Sequence, residues 1–304
     1  MAVKHILSAK QFDAKLLEQI FKSADKIKKG DFNKNALSSK IMATLFYEPS
    51  TRTRLSFESA MLRLGGKFIS TENAAEFSSA AKGETLQDTI RVVNSYVDII
   101  VLRHFKPGAS EFAAIFSKVP IINAGDGEGE HPTQAILDLY TIFSKFAHKN
   151  IQVTMIGDLT YGRTIHSLSQ LLSLYPGIKL VFCSPKALAI PSNLKSELSS
   201  RKIDFEETED FRMSIKSADV IYQTRIQKER FKSQKEYQKY KGTYIINNTI
   251  LRNIKKSAVI MHPLPRVNEI TEEVDRDRRA IYFEQVENGI YVRMALLLYL
   301  FDKA

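Results

Sequence analysis

Cysteine is almost absent from this chain of 304 residues, which contains only Cys183. One cysteine cannot form an intrachain disulfide, so the sequence excludes a disulfide-stabilised secreted domain and fits a reducing compartment, the cytoplasm. Long apolar runs are absent too. The longest, MALLLYLF at 294–301, is far shorter than the roughly 20 residues of a membrane-spanning helix, so we predict a buried helix there and no membrane partner. The stretch MAVKHILSAKQFD has no long apolar core and no small-residue cleavage site, so we predict no signal peptide.

Acidic residues are outnumbered, because 44 lysines and arginines oppose 34 aspartates and glutamates, a formal net charge of +10. This excess indicates anionic partners, and a non-enzymatic nucleic-acid binder is one interpretation. The basic residues are spread along the chain, however. The densest run, 225–241, has seven basic and two acidic residues and is interpreted as a solvated face or loop. We therefore predict no nucleic-acid partner.

Repeats and low-complexity tracts are also missing. The length favours two domains of about 150 residues each. Continuous apolar runs, typical of strands buried on both faces, alternate with helical patterns, which favours parallel sheets covered by helices. The predicted fold class is α/β, with two doubly wound parallel-sheet domains joined by interdomain helices. The predicted strands are 41–47, 98–103, 119–125, 151–158, 178–184, 218–224 and 257–263.

Three of the predicted strands lie before residue 126 and four lie after residue 150, so they form two sets. Two further segments are expected to connect the two domains. HPTQAILDLYTIFSKFAHKN, at 131–150, has apolar residues at helical spacing and predicts an interdomain helix. The segment from about Asn288 follows the last strand and is expected to pack on the first domain. The predicted domains are therefore 1–132 plus 288–304, and 133–287.

Hydroxyl and guanidinium groups are concentrated in STRTR at 50–54, where predicted strand 41–47 ends and a helix begins. Ser50 or Thr51 is a suitable N-cap, and Gly65-Gly66 is a suitable helix end. The expected core face of this helix consists of Leu55, Ser59, Met61 and Leu62.

The position of these donors predicts an anion site. Ligands of open α/β sheets bind at the carboxyl ends of strands, and a helix N-terminus offers free N–H groups and partial positive charge. Arg52 can bind two phosphate oxygens at once. Arg54 points to another face, so an ion pair within the fold is expected of it. The alternative is an N-cap with surface arginines.

Three blocks resemble the aspartate/ornithine carbamoyltransferase family. STRTR followed by LSFE resembles its carbamoyl-phosphate motif, NAGDGEGEHPTQAILDLYT its His-Pro-Thr-Gln block, and MHPLPRVNEI its third block. KGETLQDT, GDLTYGRTIHSL and TRIQKER extend the resemblance. Pro263 is typical of the aspartate branch, whereas the ornithine branch has cysteine there and a Ser-Met-Gly segment that this chain lacks. The chain therefore resembles the catalytic chains of the aspartate branch.

The resemblance implies that the carbamoyl group of carbamoyl phosphate moves to the α-amine of L-aspartate, giving N-carbamoyl-L-aspartate and phosphate in the second step of pyrimidine biosynthesis. It implies no metal and no organic cofactor, so catalysis would depend on positioning and fixed positive charge. The implied catalytic residues are Arg52, Thr53, Lys82, Arg103 and His131. The implied carbamoyl-phosphate-binding residues are Ser50, Thr51, Arg52, Thr53, Arg103, His131, Gln134, Leu264 and Pro265. The implied aspartate-binding residues are Lys82, Arg163, Arg225 and Gln227.

Several of these residues also follow from their positions. Arg103, Arg163 and Arg225 come after apolar runs, at the carboxyl ends of predicted strands. His131 follows AGDGEGE, whose glycines favour a turn that lets backbone and ligand come close. Leu264 and Pro265 would act through backbone carbonyls, and the family usually has a cis bond between them.

Lys82 lies in EFSSAAKGE, a small polar stretch interpreted as a loop. The resemblance implies that Lys82 and Ser78 reach the site of a neighbouring subunit in a homotrimer. The residues before the lysine depart from the pattern of many relatives. The sequence leaves open whether separate regulatory chains bind.

Two enzymatic alternatives remain. GDLTYGRT, at 157–164, nearly matches the phosphate-binding pattern of P-loop kinases, but Arg163 stands where that pattern has lysine. An ornithine-type carbamoyltransferase is the nearer alternative, and Pro263 argues against it.

Overall fold

The structure is a computed structural model that describes residues 3–73, 83–146, 150–226 and 233–303. The chain forms two compact units, Met1–Tyr140 with Glu287–Ala304, and Thr141–Val286. Each unit contains a parallel sheet with helices, which confirms the predicted α/β class. In the described parts of the chain, no helix is long and apolar enough to span a membrane.

The sheet of the first unit has the strand order β2-β1-β3-β4, and all neighbours are parallel. The strands are β1 (Ile41–Phe46), β2 (Lys67–Glu72), β3 (Ile99–His104) and β4 (Ile121–Asp126). The helices are α1 (Ala14–Lys28), α2 (Thr51–Arg63), α3 (Leu86–Val93), α4 (Ala109–Phe116) and the start of α5 (Pro132–Lys145), with a 3₁₀ turn at Ala9–Gln11. The chain leaves β1 toward β2 and leaves β3 toward β4, in opposite directions. A topological switch point therefore lies between β1 and β3.

The second unit has the order β7-β6-β5-β8-β9, again parallel. The strands are β5 (Ile151–Ile156), β6 (Ile178–Cys183), β7 (Phe205–Thr208), β8 (Val220–Gln223) and β9 (Val259–Met261). The helices are the end of α5, α6 (Arg163–Leu172), α7 (Ser192–Ser200), α8 (Phe211–Lys216), α9 (Gln234–Gln238), α10 (Asn248–Leu251) and the start of α11 (Tyr282–Leu300), with 3₁₀ turns at Lys186–Leu188 and Glu272–Arg276. By the same reasoning, the switch point lies between β5 and β8.

All seven predicted strands are present, because their apolar runs are buried in the two sheets. The sequence pattern does not predict β2 and β7. Both are edge strands whose residues are exposed or half-buried. An edge strand that faces solvent needs no continuous apolar run, so it has no such signal.

Helix α2 begins at Thr51 with Ser50 as its N-cap, and Gly65, with φ of +81°, follows its last turn as predicted. The predicted core face is only partly correct. Leu55 and Leu62 are 50% and 56% exposed. Met61 is buried as predicted, and the other buried residues are Thr53, Phe57, Glu58 and Ala60. These also have helical spacing, and Phe57 brings a larger apolar surface to the core than leucine does.

The unit boundaries lie inside two helices. One lies between Tyr140 and Thr141, within α5, whereas the predicted boundary, 132–133, lies at the first residue of this helix. The reason is packing, since Tyr140 donates a hydrogen bond to Asp25 of the first unit (2.7 Å). Phe143, one turn later, contacts the ring of Tyr175 in the second unit at 4.7 Å between centroids. The other boundary, Val286–Glu287, lies within α11, next to the predicted 287–288.

Candidate functional site

The first group of candidate residues lies at the switch point of the first sheet. Residues 50–53 follow β1, and Arg103 is near the carboxyl end of the adjacent β3, opposite Phe46 of β1. His131 lies between β4 and α5. The parallel order therefore brings the carboxyl ends of β1, β3 and β4 to one edge of this sheet.

The first turn of α2 presents several donors. The Ser50 hydroxyl makes no capping hydrogen bond to described residues, so it does not satisfy the free N–H groups of the turn. Thr51 and Arg52 are exposed, and Thr53 is 6% exposed. Backbone N–H groups, hydroxyls and a guanidinium in one turn form a suitable surface for a phosphate group.

Arg54 makes an ion pair within the fold, which confirms its prediction. Its guanidinium contacts Glu72 Oε2 (2.8 Å), Ser70 Oγ (3.1 Å) and Glu58 Oε1 (3.4 Å). The same Glu58 oxygen accepts hydrogen bonds from Thr44 (2.9 Å) and Ser70 (2.7 Å). Arg54 therefore joins α2 to β2.

Arg103 is held in place by a residue that the sequence analysis missed. Its guanidinium lies 2.7 Å from Glu48 Oε2 and donates to the Ala124 carbonyl at 3.3 Å. Glu48 comes just before Pro49, next to the anion-binding donors at 50–54. An acidic residue beside such donors is the sequence feature that could have identified it. The next residue, His104, is buried, which lowers its pKa to about 4, and its Nδ1 accepts from the Lys106 N–H. His104 is therefore neutral at pH 7.

The loop before His131 needs glycine at one point. Gly127 has φ of +54°, and a Cβ there would come within 2.5 Å of the Phe105 carbonyl oxygen. This close approach is between two backbone segments of the protein, and the approach of this backbone to a ligand stays a prediction. His131 is 4% exposed. The Gln134 Nε2 donates to Asp138 (2.9 Å), which orients this amide.

The second group lies at the switch point of the other sheet. Arg163 is the first residue of α6, in the connection after β5, and Arg225 follows the adjacent β8 after one residue. Both are half-buried. Gly157, at the end of β5, has φ of +120°, and a Cβ there would lie 2.4 Å from the Thr224 carbonyl oxygen. A glycine thus lets the two connections that carry these arginines approach each other.

A pocket of about 300 Å³ lies beside Arg225. Its lining includes Gln223, Arg225, Tyr237, Lys241, Asn268 and Glu269. Gln223 is 1% exposed and donates its Nε2 to the carbonyls of Thr224 (3.2 Å) and Tyr244 (3.3 Å). Its Oε1 has no hydrogen-bond partner among the described residues. The lining thus combines the cationic side chains of Arg225 and Lys241 with the carboxylate of Glu269.

Leu264 and Pro265 follow β9, the neighbour of β8, and the bond between them is cis, as predicted. His262 and Glu269, which have no predicted role, frame this segment, and their side chains lie 2.8 Å apart. The sequence could have identified them, because both are ionisable residues inside the MHPLPRVNEI block. Ser78, Lys82 and Gln227 lie outside the described residues.

Comparison with known families covers nearly the whole chain. Residues 4–144 match the aspartate/ornithine carbamoyltransferase carbamoyl-P binding domain, and residues 149–300 match the Asp/Orn binding domain of the same family. The chain belongs to the aspartate/ornithine carbamoyltransferase family. Among its members, the chloroplastic aspartate carbamoyltransferase of Arabidopsis thaliana is 52% identical over 297 residues, which are 96% of this chain and 76% of that protein. The Clostridium kluyveri aspartate carbamoyltransferase catalytic subunit is 47% identical over 298 residues, 97% of each chain.

Solved structures of this family have the same fold. The catalytic subunit of M. jannaschii aspartate transcarbamoylase matches with a TM-score of 0.90 and 47% identity, over 99% of this chain and 98% of that one. Trypanosoma cruzi aspartate transcarbamoylase in complex with carbamoyl phosphate and aspartate matches with a TM-score of 0.90 and 39% identity, over 97% and 95%. Both neighbours are aspartate transcarbamoylases.

Proposed function

We propose that the chain transfers the carbamoyl group of carbamoyl phosphate to the α-amine of L-aspartate. The amine nitrogen forms a bond to the carbamoyl carbon, the bond from that carbon to the phosphate oxygen breaks, and one amine proton is released. The products are N-carbamoyl-L-aspartate and phosphate, and the pathway is pyrimidine biosynthesis. No metal or organic cofactor is required by this balance.

The observation that carries this proposal is the donor cluster at the first switch point. Ser50, Thr51, Arg52 and Thr53 combine hydroxyls, a guanidinium and a helix N-terminus at a strand end. These donors suit the phosphate group of an acyl phosphate, and the match of residues 4–144 to a carbamoyl-P binding domain supports the proposal. Pro263 and the named relatives favour aspartate over ornithine as the acceptor.

The first unit would bind the phosphate and the carbonyl oxygen of carbamoyl phosphate. Residues 50–53 would hold the phosphate, while Thr53, Arg103 and His131 would stabilise the negative charge that grows on the carbonyl oxygen. Removal of one such donor typically lowers kcat by about 10²–10³. The Gln134 side-chain oxygen suits the carbamoyl NH₂, because its Nε2 already donates to Asp138. The Leu264 and Pro265 carbonyls would accept further hydrogen bonds from that NH₂.

The second unit would bind aspartate. The substrate brings two carboxylates, and Arg163 and Arg225 bring two guanidiniums to adjacent strand ends. Gln227 would support Arg225. The match of residues 149–300 to an Asp/Orn binding domain supports this division of roles.

A homotrimer would complete the site. Lys82 and Ser78 of one subunit would reach the site of the next, where the Lys82 ammonium would balance charge on the leaving phosphate and contact aspartate. The exposed Leu55 and Leu62 of α2 support a subunit contact, because association would cover this apolar face.

The proposed compartment is the cytoplasm. A lone buried Cys183, whose thiol pKa is raised by burial to about 11, fits a chain that needs no disulfide. The curated plant relatives are chloroplastic, so fractionation of source cells with antibody detection is the appropriate test. Recovery in an organelle fraction would contradict this assignment.

A product assay tests the activity. Purified protein is incubated with carbamoyl phosphate and either L-aspartate or L-ornithine, and both products are quantified by mass spectrometry. We expect N-carbamoyl-L-aspartate and no citrulline above a protein-free control. Citrulline alone would favour the ornithine branch. If neither product forms, calorimetric titration with Mg-ATP examines the P-loop alternative.

A further inference from the structure

The imidazole of His262 connects two parts of the segment that follows β9. Its Nδ1 accepts a hydrogen bond from the Leu264 N–H at 2.7 Å, and its Nε2 lies 2.8 Å from Glu269 Oε1. The other Glu269 oxygen accepts from the N–H groups of Val267 (3.2 Å) and Asn268 (3.1 Å). With His262 only 1% exposed, one imidazole and one carboxylate hold this segment from within.

These contacts determine which ring nitrogen carries the proton. A backbone N–H can only donate, so Nδ1 of His262 presents its lone pair to Leu264. The proton is therefore on Nε2 and is donated to Glu269. Burial lowers the pKa of His262, and Arg266 and Arg225 act in the same direction, against Glu269. Burial alone would raise the pKa of Glu269, but the hydrogen bond from His262 lowers it, so the neutral ring faces a carboxylate.

Leu264 has an unusual backbone conformation, since its φ of +55° lies in the left-handed region. A non-glycine residue keeps this conformation only when neighbouring contacts hold it. The hydrogen bond from the Leu264 N–H to the His262 ring is such a contact. The direction of the Leu264 carbonyl follows from the same backbone angles.

We propose that His262 is a positioning residue for carbamoyl phosphate, because its ring fixes the Leu264 N–H and so aims the Leu264 and Pro265 carbonyls at the carbamoyl NH₂. This inference rests on the proposed function, which gives those carbonyls their role. His262 acts through the backbone. Its loss should therefore weaken the use of carbamoyl phosphate much more than the use of aspartate, whose carboxylates are assigned to Arg163 and Arg225.

Two matched variants separate the roles of the ring nitrogens. His262→Asn places an amide oxygen near the position of Nδ1 and keeps an acceptor for Leu264, whereas His262→Gln places its amide near Nε2 and does not. We expect His262→Gln to raise the KM of carbamoyl phosphate about tenfold, which one lost hydrogen bond of about 1.4 kcal/mol would produce. The KM of aspartate should change less than about threefold, and His262→Asn should keep both constants within about threefold of wild type.

Equal effects of the two variants, or equal changes in both KM values, would overturn the proposal. A second measurement needs no folded variant: ¹⁵N chemical shifts of the His262 ring in the wild type at pH 7. We expect the neutral Nε2–H tautomer, and a protonated ring or the Nδ1–H tautomer would overturn the proposal. Wild-type protein without carbamoyl transfer would contradict the proposed function instead, and the ring spectra would then test the hydrogen bonds of His262 to Leu264 and Glu269 independently of activity.

Discussion

Arg52 and Arg54 carry the same guanidinium on the same helix but have different surroundings. Arg52 is exposed in the first turn of α2. Arg54 contacts the buried Glu58 and, at 2.8 Å, Glu72, so it belongs to a network that connects α2 to β2. Residue type alone does not distinguish a ligand-binding arginine from a structural one. The position along the helix does, because residues two apart face different directions.

These two arginines form a matched pair for mutagenesis. We expect Arg52→Ala to weaken carbamoyl phosphate binding by about 1.5–3 kcal/mol, roughly 10–100-fold, because a charge-assisted bond is lost. Its thermal unfolding should stay close to that of the wild type. Arg54→Ala should lower the free energy of unfolding by about 1–3 kcal/mol, because Glu58 loses a partner in a buried place. Calorimetric titration and thermal denaturation measure these quantities, and an equal loss of stability in both variants would make Arg52 structural.

At the scale of elements, burial determines which strands can be predicted from the sequence. Buried strands produce apolar runs, so seven strands were predicted, including β4 and β9 at the sheet edges, and with them the strand ends that carry Arg103, Arg163 and Arg225. Edge strands β2 and β7 have no such run, and the two faces of α2 have similar spacing, so Leu55 and Leu62 were assigned to the wrong face. Glu48, His262 and Glu269 depend on partners that are chosen by the fold, so their geometry could not follow from local patterns.

The loop between β4 and α5 gives a prediction at this scale. Gly127→Ala is compared with Gly30→Ala, since both positions have positive φ but a Cβ at Gly30 meets nothing within 4 Å. Gly30→Ala should cost about 1 kcal/mol of stability and leave activity intact. Gly127→Ala should cost more and lower kcat roughly tenfold or more, because the loop before His131 must shift. Equal effects on both properties would show that the approach to Phe105 does not position the site.

At the scale of the whole molecule, the proposed trimer makes catalysis depend on two subunits. Lys82→Ala and His131→Ala should each be nearly inactive. When the two variants are unfolded together and refolded as hybrids, an interface that combines intact His131 from one subunit with intact Lys82 from its neighbour has every catalytic group. Each hybrid trimer contains one such site. Activity should therefore return to a substantial fraction of that of the wild type.

The matched control for this experiment is each variant refolded alone, which should remain inactive. Mass-tagged chains and native mass spectrometry establish that mixing occurred. Hybrids that are well mixed but as inactive as their parents would show that Lys82 acts within its own chain or not at all.

The central claim is that each switch point binds one of two anionic substrates, carbamoyl phosphate in the first unit and aspartate in the second. Arg225→Ala tests it most directly, with carbamoyl phosphate affinity measured by calorimetry and the KM of aspartate by product formation. We predict that the KM of aspartate rises by roughly 10–100-fold, because a charge-assisted bond to a carboxylate is worth about 1.5–3 kcal/mol, while carbamoyl phosphate affinity stays close to that of the wild type. Equal losses for both substrates would contradict the division between the two units.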